Sequence, residues 1–275
     1  MTNQTTDATP LVARILNEAK QWILERTVGI YFQMPDGNPV PWGTGVLLRI
    51  ADESFVLSAS HVLERASEAT ARLASCVAGS RFVNVTSVRL SRTVDTETLD
   101  VGFLRLTPEN ATELEVHKKF LRMSDLDTSQ AMGDGAYLVA GYPAQSVQFH
   151  LDGEQKEISA SHFSFLTQLV DVDRGEPGIT LGLSFREPTL RNGYGELVRR
   201  VPELNGISGC GIWRVWLEEN RDSLARWDPS WIRLSGIEHA VTPRRSIRGT
   251  LVGHALQLIA RSQPELIPSM RVSLS

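Results

Sequence analysis

Between Thr27 and Val241 the chain repeats one pattern: a short apolar or β-branched run closed by glycine, proline, asparagine or aspartate. The runs TVGIYFQM, WGTGVLLRI, SFVLSAS, RFVNVTSVRL, VGFLRL, AYLVAGYP, SFLTQLVDV, ITLGLSF, GIWRVWL and WIRLSGIEHAV all read as strands. About ten short strands with few helices between them point to antiparallel barrels or sandwiches. A doubly wound parallel sheet would need a helix between successive strands. Asp36-Gly37 within PDGNPVP predicts a hairpin between the first two runs.

Helical periodicity is confined to the two ends. Thr9-Pro10 is a helix-start signal, and Leu11, Val12, Ile15, Leu16, Ala19, Trp22 and Ile23 then recur at helical spacing through about Arg26. That helix is expected outside the main body, covering a sheet edge or a barrel end. Leu251, Ala255, Leu258 and Ile259 share a second helical face, which Pro264 should stop. Residues from about Leu151 to Arg200 are more charged and longer than a simple hairpin needs, and read as an insertion.

A net charge of -4 argues against a nucleic-acid partner, whose phosphates favour a basic surface. The N-terminal MTNQTTDATP has neither the basic start nor the apolar core of a secretory signal. No uncharged apolar run approaches the roughly 18 residues of a membrane span, so no membrane partner is expected. Cys76 and Cys210 are too few for a disulfide framework, which favours a reducing, cytoplasmic setting. No cofactor or metal is expected.

Three short segments carry the chemistry. In VLSASHVLERA, His61 ends an apolar strand and begins a helix-like turn; in TLDVGFLRL, Asp100 directly precedes a strand; in NGISGCG, Ser208 stands among three glycines. A serine hydroxyl is a poor nucleophile until a base such as histidine takes its proton. A buried carboxylate orients that imidazole and stabilises its charged form. The anion formed on a carbonyl substrate needs preorganised donors, which glycine-rich backbone supplies. Asp95 competes with Asp100 but stands among threonine and glutamate, without the apolar run that follows Asp100.

In these segments the chain resembles the trypsin-like (chymotrypsin-fold) serine peptidases, in particular a single-domain bacterial-type member. SASHV is similar to the family's small-small-His motif, LDVGFL to its Asp-aliphatic-small-aliphatic motif, and GISGCG to its Gly-x-Ser-Gly motif. WGTGVLL and GDGAYLVAGYP resemble further strands, and the order His61, Asp100, Ser208 is that of chymotrypsin. The resemblance runs from about Thr27 to Val241. It implies an all-β fold of two antiparallel six-stranded β-barrels with a helix at each end. The domain would divide into an N-terminal helix (1–26), a first barrel (27–125), a second barrel (126–245) and a C-terminal helix and tail (246–275).

By position, the oxyanion donors would be the backbone N–H groups of Gly206 and Ser208. Asn205, Glu238, His239 and Ala240 would border the substrate. The implied activity is that of a serine endopeptidase acting on a protein or peptide through an acyl-enzyme, with a regulatory partner protein to restrain or switch it. The alternative is a catalytically idle trypsin-like fold serving as a protein-binding or scaffold module. An α/β-hydrolase with Ser208, Asp228 and His239 or His254 is disfavoured, because Cys210 occupies the second glycine of Gly-x-Ser-x-Gly.

Ile207 stands where zymogen-type members carry the aspartate that receives a newly cut N-terminus, so activation by propeptide removal is not expected. Pro202 falls near the pocket acid of Arg/Lys-specific members, and that preference is not supported. Cys210 reads as a small thiol packed beneath the loop. His117, His150, His162 and His254 read as surface or core residues, and Arg244, Arg245 and Arg248 as a solvated face.

Overall fold

The computed structural model describes residues 9–33, 39–66, 71–74, 82–85, 91–92, 99–129, 135–152, 155–168, 180–184, 204–215, 224, 226–241 and 246–271. It is mostly β, with antiparallel sheets and helices at both ends. Helix α1 (Thr9–Leu24) leads into β1 (Thr27–Gln33), β2 (Pro39–Ile50) and β3 (Glu53–Ser58), then α2 (Ser60–Ala66). β4 (Ala71–Ala74), β5 (Phe82–Val85), β6 (Ser91–Arg92) and β7 (Gly102–Arg105) complete a first sheet of order β5-β4-β1-β2-β3-β7-β6. After α3 (Pro108–Glu115), a second sheet is built from β8 (Ala136–Gly141), β11 (Phe163–Gln168), β12 (Thr180–Ser184), β13 (Gly211–Arg214), β14 (Arg233–Val241) and β15 (Ser246–Leu251). Its order is β11-β8-β13-β14-β15-β12. β9 (Val147–Asp152) and β10 (Gln155–Ala160) form a separate hairpin, and α4 (Val252–Ser262) and α5 (Ile267–Arg271) close the chain.

Where two six-stranded barrels were expected, the described residues form sheets of seven and six strands, neither of them closed into a barrel. In the second sheet the edge strands β11 and β12 approach each other, but no ladder joins them among the described residues. β1 and β2 pair as far as Gln33 opposite Pro39; the Asp36-Gly37 turn itself lies outside the described residues. So do Cys76, Asp95, Pro202, Arg244 and Arg245. The charged stretch from Leu151 to Arg200 contributes β10, β11 and β12 where it is described.

Side-chain alternation explains why the strand sequences are apolar almost throughout. On β2 and β3, Val46, Leu48, Ile50, Phe55 and Leu57 face one cluster, while Leu47 and Val56 face another inside the first sheet. On β8 and β13, Leu138, Ala140 and Trp213 join the former cluster, while Val139 and Ile212 face a third inside the second sheet. Strands buried on both faces lose the polar half of the usual alternation.

The shared cluster also takes Ile15, Leu16, Ala19 and Ile23 from α1 and Val252, Ala255 and Ile259 from α4. α1 thus seals the junction of the two sheets rather than one sheet's edge. Trp22 meets the buried Trp213 edge-on, with ring centroids 5.9 Å apart. The Thr27 hydroxyl donates to the Ile23 carbonyl at 2.9 Å and closes the helix end as β1 begins. The segment between the sheets is stitched to both. Arg49 N–H donates to the Leu121 carbonyl (2.8 Å), and Asp127 N–H to the Leu234 carbonyl (2.9 Å).

Leu16 is fully buried against both sheets, so Leu16→Ala should destabilise the protein by about 2–5 kcal/mol. Leu11→Ala, at a partly buried position, should cost less. Denaturant unfolding of the two variants checks the order.

Candidate active site

Strand register brings His61 and Asp100 together. β3 and β7 pair antiparallel with Ser58 opposite Gly102, so the residues just beyond that pair leave the sheet side by side. His61 lies in the first turn of α2 and Asp100 two residues before β7. The His61 ring nitrogen Nδ1 lies 2.6 Å from Asp100 Oδ2, and the His61 backbone N–H donates to Asp100 Oδ1 at 3.0 Å. Asp100 N–H donates in turn to the Thr250 hydroxyl on β15 (3.3 Å), tying this pair to the second sheet.

Asp100 is only 7% exposed, whereas His61 is exposed. Burial pushes the Asp100 carboxyl up, but the hydrogen bonds and charge of His61 outweigh it and hold the group below its ordinary value. An ionised Asp100 only accepts. A neutral His61 ring therefore carries its proton on Nδ1, and Nε2 is left able to accept.

Ser208 sits on a tight loop leading into β13. Ile207 N–H donates to the Leu204 carbonyl (3.1 Å) and Cys210 N–H to the Ile207 carbonyl (2.9 Å). Gly206 and Gly209 adopt φ of 93° and 90°, backbone that strains any L side chain. A Cβ at Gly209 would lie 1.9 Å from Ser58 Oγ and 2.2 Å from the Thr44 carbonyl oxygen, so glycine is what lets the loop reach the end of β3.

Thr44 holds the loop there. Its N–H donates to the Ser208 carbonyl (2.9 Å), and its hydroxyl donates to the Gly206 carbonyl (2.9 Å) and accepts from Tyr142 N–H (3.2 Å). Among the described residues, neither the Gly206 nor the Ser208 N–H donates to a backbone carbonyl. Thr44 and Thr250 are the site residues that sequence reasoning did not single out. The signal for Thr44 was its place between two glycines in WGTGV.

Glu238, His239 and Ala240 lie on β14 at a register shift. Gly209 N–H donates to the Glu238 carbonyl and Glu238 N–H to the Cys210 carbonyl, both at 2.8 Å. Glu238 is 1% exposed, and burial, with the charge of Asp100, pushes its carboxyl up to about 8. His239 is half-buried; burial lowers its pKa against the opposing pull of Asp100. Asn205 is exposed, and its carbonyl accepts from Ala144 N–H (2.7 Å).

Ile207 is buried with Cys210, Ile212 and Ile247. The buried Cys210 thiol is pushed up by burial and then by the charge of Glu238. Elsewhere His117 is exposed, while burial and then Lys20 and Lys118 lower half-buried His162 to about 4. Asp228, the acid of the α/β-hydrolase alternative, caps a 3-10 turn by accepting from Ser230 N–H at 2.7 Å. A cavity of about 420 Å³ lined by Arg49, Glu53, Arg105 and Thr107 is separate from these residues, and both its arginines are paired, Arg49 with Glu115 and Arg105 with Glu53. No group of histidine, cysteine and acidic residues suited to a metal ion occurs among the described residues. No helix described is long and apolar enough to cross a membrane.

Two stability tests follow. Thr44→Val removes the hydroxyl that serves two backbone groups and should cost about 1–3 kcal/mol, read by denaturant unfolding. Asp100 has a folded pKa below its ordinary 3.8, so its pairing stabilises the fold fully above that value. The contribution is lost as pH falls through the lower folded value. Melting temperatures of the wild type and Asp100→Asn should differ at neutral pH and converge in strong acid.

No protein-family model matches the chain, and no curated protein matches it. Among solved structures, an HL collagenase aligns with a TM-score of 0.50 and 15% identity, covering 88% of this chain and 95% of that chain. The Rv3671c protease in its inactive form aligns at 0.49 and 12%, covering 92% and 97%. A structure from work on the coupled folding and binding of the Sesbania mosaic virus VPg protein aligns at 0.47 and 14%, covering 87% and 92%. The likeness to the collagenase over most of both chains fits the strand order and end helices described above: the fold is chymotrypsin-like.

Proposed function

We propose that the protein is a serine endopeptidase that cleaves peptide bonds through an acyl-enzyme on Ser208. The observation that carries the reading is the 2.6 Å contact of His61 Nδ1 with buried Asp100, together with a glycine-shaped serine loop whose Gly209 packs against Ser58, three residues before His61. In this reading His61 Nε2 takes the proton from Ser208 Oγ as the hydroxyl attacks the substrate carbonyl. The same proton then goes to the leaving amine as the peptide bond breaks, and water repeats the sequence to release the acid. Asp100 orients the imidazole and stabilises its charged form. The N–H groups of Gly206 and Ser208 receive the developing oxyanion, and Asn205, His239 and Ala240 border the bound peptide, while Glu238, expected with them, is buried at 1% exposure and does not present its side chain there.

The same reading takes the chain as one peptidase domain of two β halves, 27–125 and 126 onward, the second running past the expected boundary at 245 because β15 (Ser246–Leu251) belongs to its sheet. A collagenase among the structural neighbours supports a polypeptide substrate. The buried, free Cys210 suits a reducing, cytoplasmic setting. A buried isoleucine at position 207 cannot accept an ammonium group, which supports a chain active without cleavage; in this reading a partner protein restrains it instead.

A fluorophosphonate probe should label Ser208 in the uncleaved chain, and Ser208→Ala should abolish both labelling and peptide hydrolysis. His61→Ala should be nearly as damaging, since such residues act as a unit. Asp100→Asn should lower turnover by about 10⁴-fold through the wrong histidine tautomer. Substantial hydrolysis by Ser208→Ala overturns the assignment, and no labelling of the wild type favours a binding or scaffold role.

A further inference from the structure

β14 runs beside the serine loop and is bonded to it twice, through Gly209 N–H to the Glu238 carbonyl and Glu238 N–H to the Cys210 carbonyl. The residue making both bonds carries a carboxyl that is almost wholly buried, and its Oε2 has no hydrogen-bond partner among the described residues. Directly opposite in register on β15 stands Gly249, which offers no side-chain partner, and a Cβ there would meet Ile212 at 2.3 Å. An acid is thus set into an apolar face at the one residue that joins β14 to both successors of Ser208.

The geometry points to Glu238 as a positioning residue for the hydrolysis, one that supports the serine loop while it holds a proton and releases it on ionising. The inference rests on Ser208 being the nucleophile. An ionised carboxylate in that setting has no compensating bond and faces the like charge of Asp100, so it gains by moving toward water. Both bonds to Gly209 and Cys210 are made by the Glu238 backbone, so a shift of β14 that brings the carboxylate to water disturbs them.

The titratable groups around Glu238 come from every neighbouring element. Asp100 precedes β7, Cys210 precedes β13, His239 follows on β14, and His61 on α2 and Arg248 on β15 act on His239. Beyond burial itself, the charge acting on Glu238 is that of Asp100, and the two together keep the proton on until about pH 8. An acid whose folded pKa lies above its ordinary 4.5 costs the fold nothing below that value. Stability is lost as pH rises from there through the folded value.

The test follows the rate of fluorophosphonate labelling of Ser208, and the melting temperature, from pH 5 to 10 in the wild type, Glu238→Gln and Glu238→Met. Wild-type labelling should fall at least tenfold through an alkaline limb centred near pH 8, while the melting temperature declines from the low end of the range and levels off above about pH 8. Glu238→Gln should lack that limb and melt higher than the wild type at alkaline pH. If the glutamine variant does not fold, Glu238→Met, of similar length and without charge, gives the same reading. An unchanged alkaline limb in whichever variant folds, or a wild type without one, overturns the role given to Glu238 and leaves the peptidase reading intact. A folded wild type that is never labelled overturns both.

Discussion

One buried threonine holds the candidate site together. Thr44 is fully buried on β2, and each of its polar groups is engaged. Its N–H takes the Ser208 carbonyl, its hydroxyl joins Gly206 to Tyr142, and its own carbonyl accepts from the Ser58 hydroxyl at 2.7 Å. Three segments from two sheets are thereby fixed to one residue without a charge. A fully satisfied polar node in an apolar interior is rigid, because every departure leaves a buried group unpaired. The close approach of Gly209 to Ser58 and the register that delivers His61 to Asp100 both rely on that junction staying closed.

Around the junction, the shared cluster does for the sheets what Thr44 does for the loop. Each sheet has an inner cluster of its own, but α1, α4, Trp213 and the outer faces of β2, β3, β8 and β14 meet in one body. The two halves of the site are therefore held at a fixed separation by packing that neither half could complete alone.

Much of this was legible in the sequence. The apolar runs became β1 to β3, β5, β7, β8 and β11 to β14, since burial on both faces leaves a strong signal. The short β4 and β6 and the polar hairpin of β9 and β10 were not read as strands, because none carries a long apolar run, and β15 falls where a C-terminal helix was expected. α3 begins with Thr107-Pro108, where the Thr107 hydroxyl accepts from Asn110 N–H. The same threonine-proline signal was read at Thr9-Pro10, so that helix could have been found. His61, Asp100 and Ser208 stood out through local context. The bond from Thr44 to Gly206 spans 162 residues and could not be read locally. Glu238 bordered the expected site, yet its burial was invisible, since an acid within a strand ordinarily marks the solvent face.

The shared cluster also sets the order of events when the chain is made. Its members run from Ile15 on α1 to Met270 on α5, so its packing is finished only when nearly the whole chain is available. Asp100 leans on Thr250, and Ser208 on strands from both sheets. A nascent chain that has emerged as far as α3 holds a histidine and a carboxylate, but neither the serine nor the strand that steadies the acid. Contacts of such long sequence separation form late and slowly. A polypeptide that is still on the ribosome therefore carries the histidine and the carboxylate as separate parts, and the candidate site is assembled only together with the completed fold.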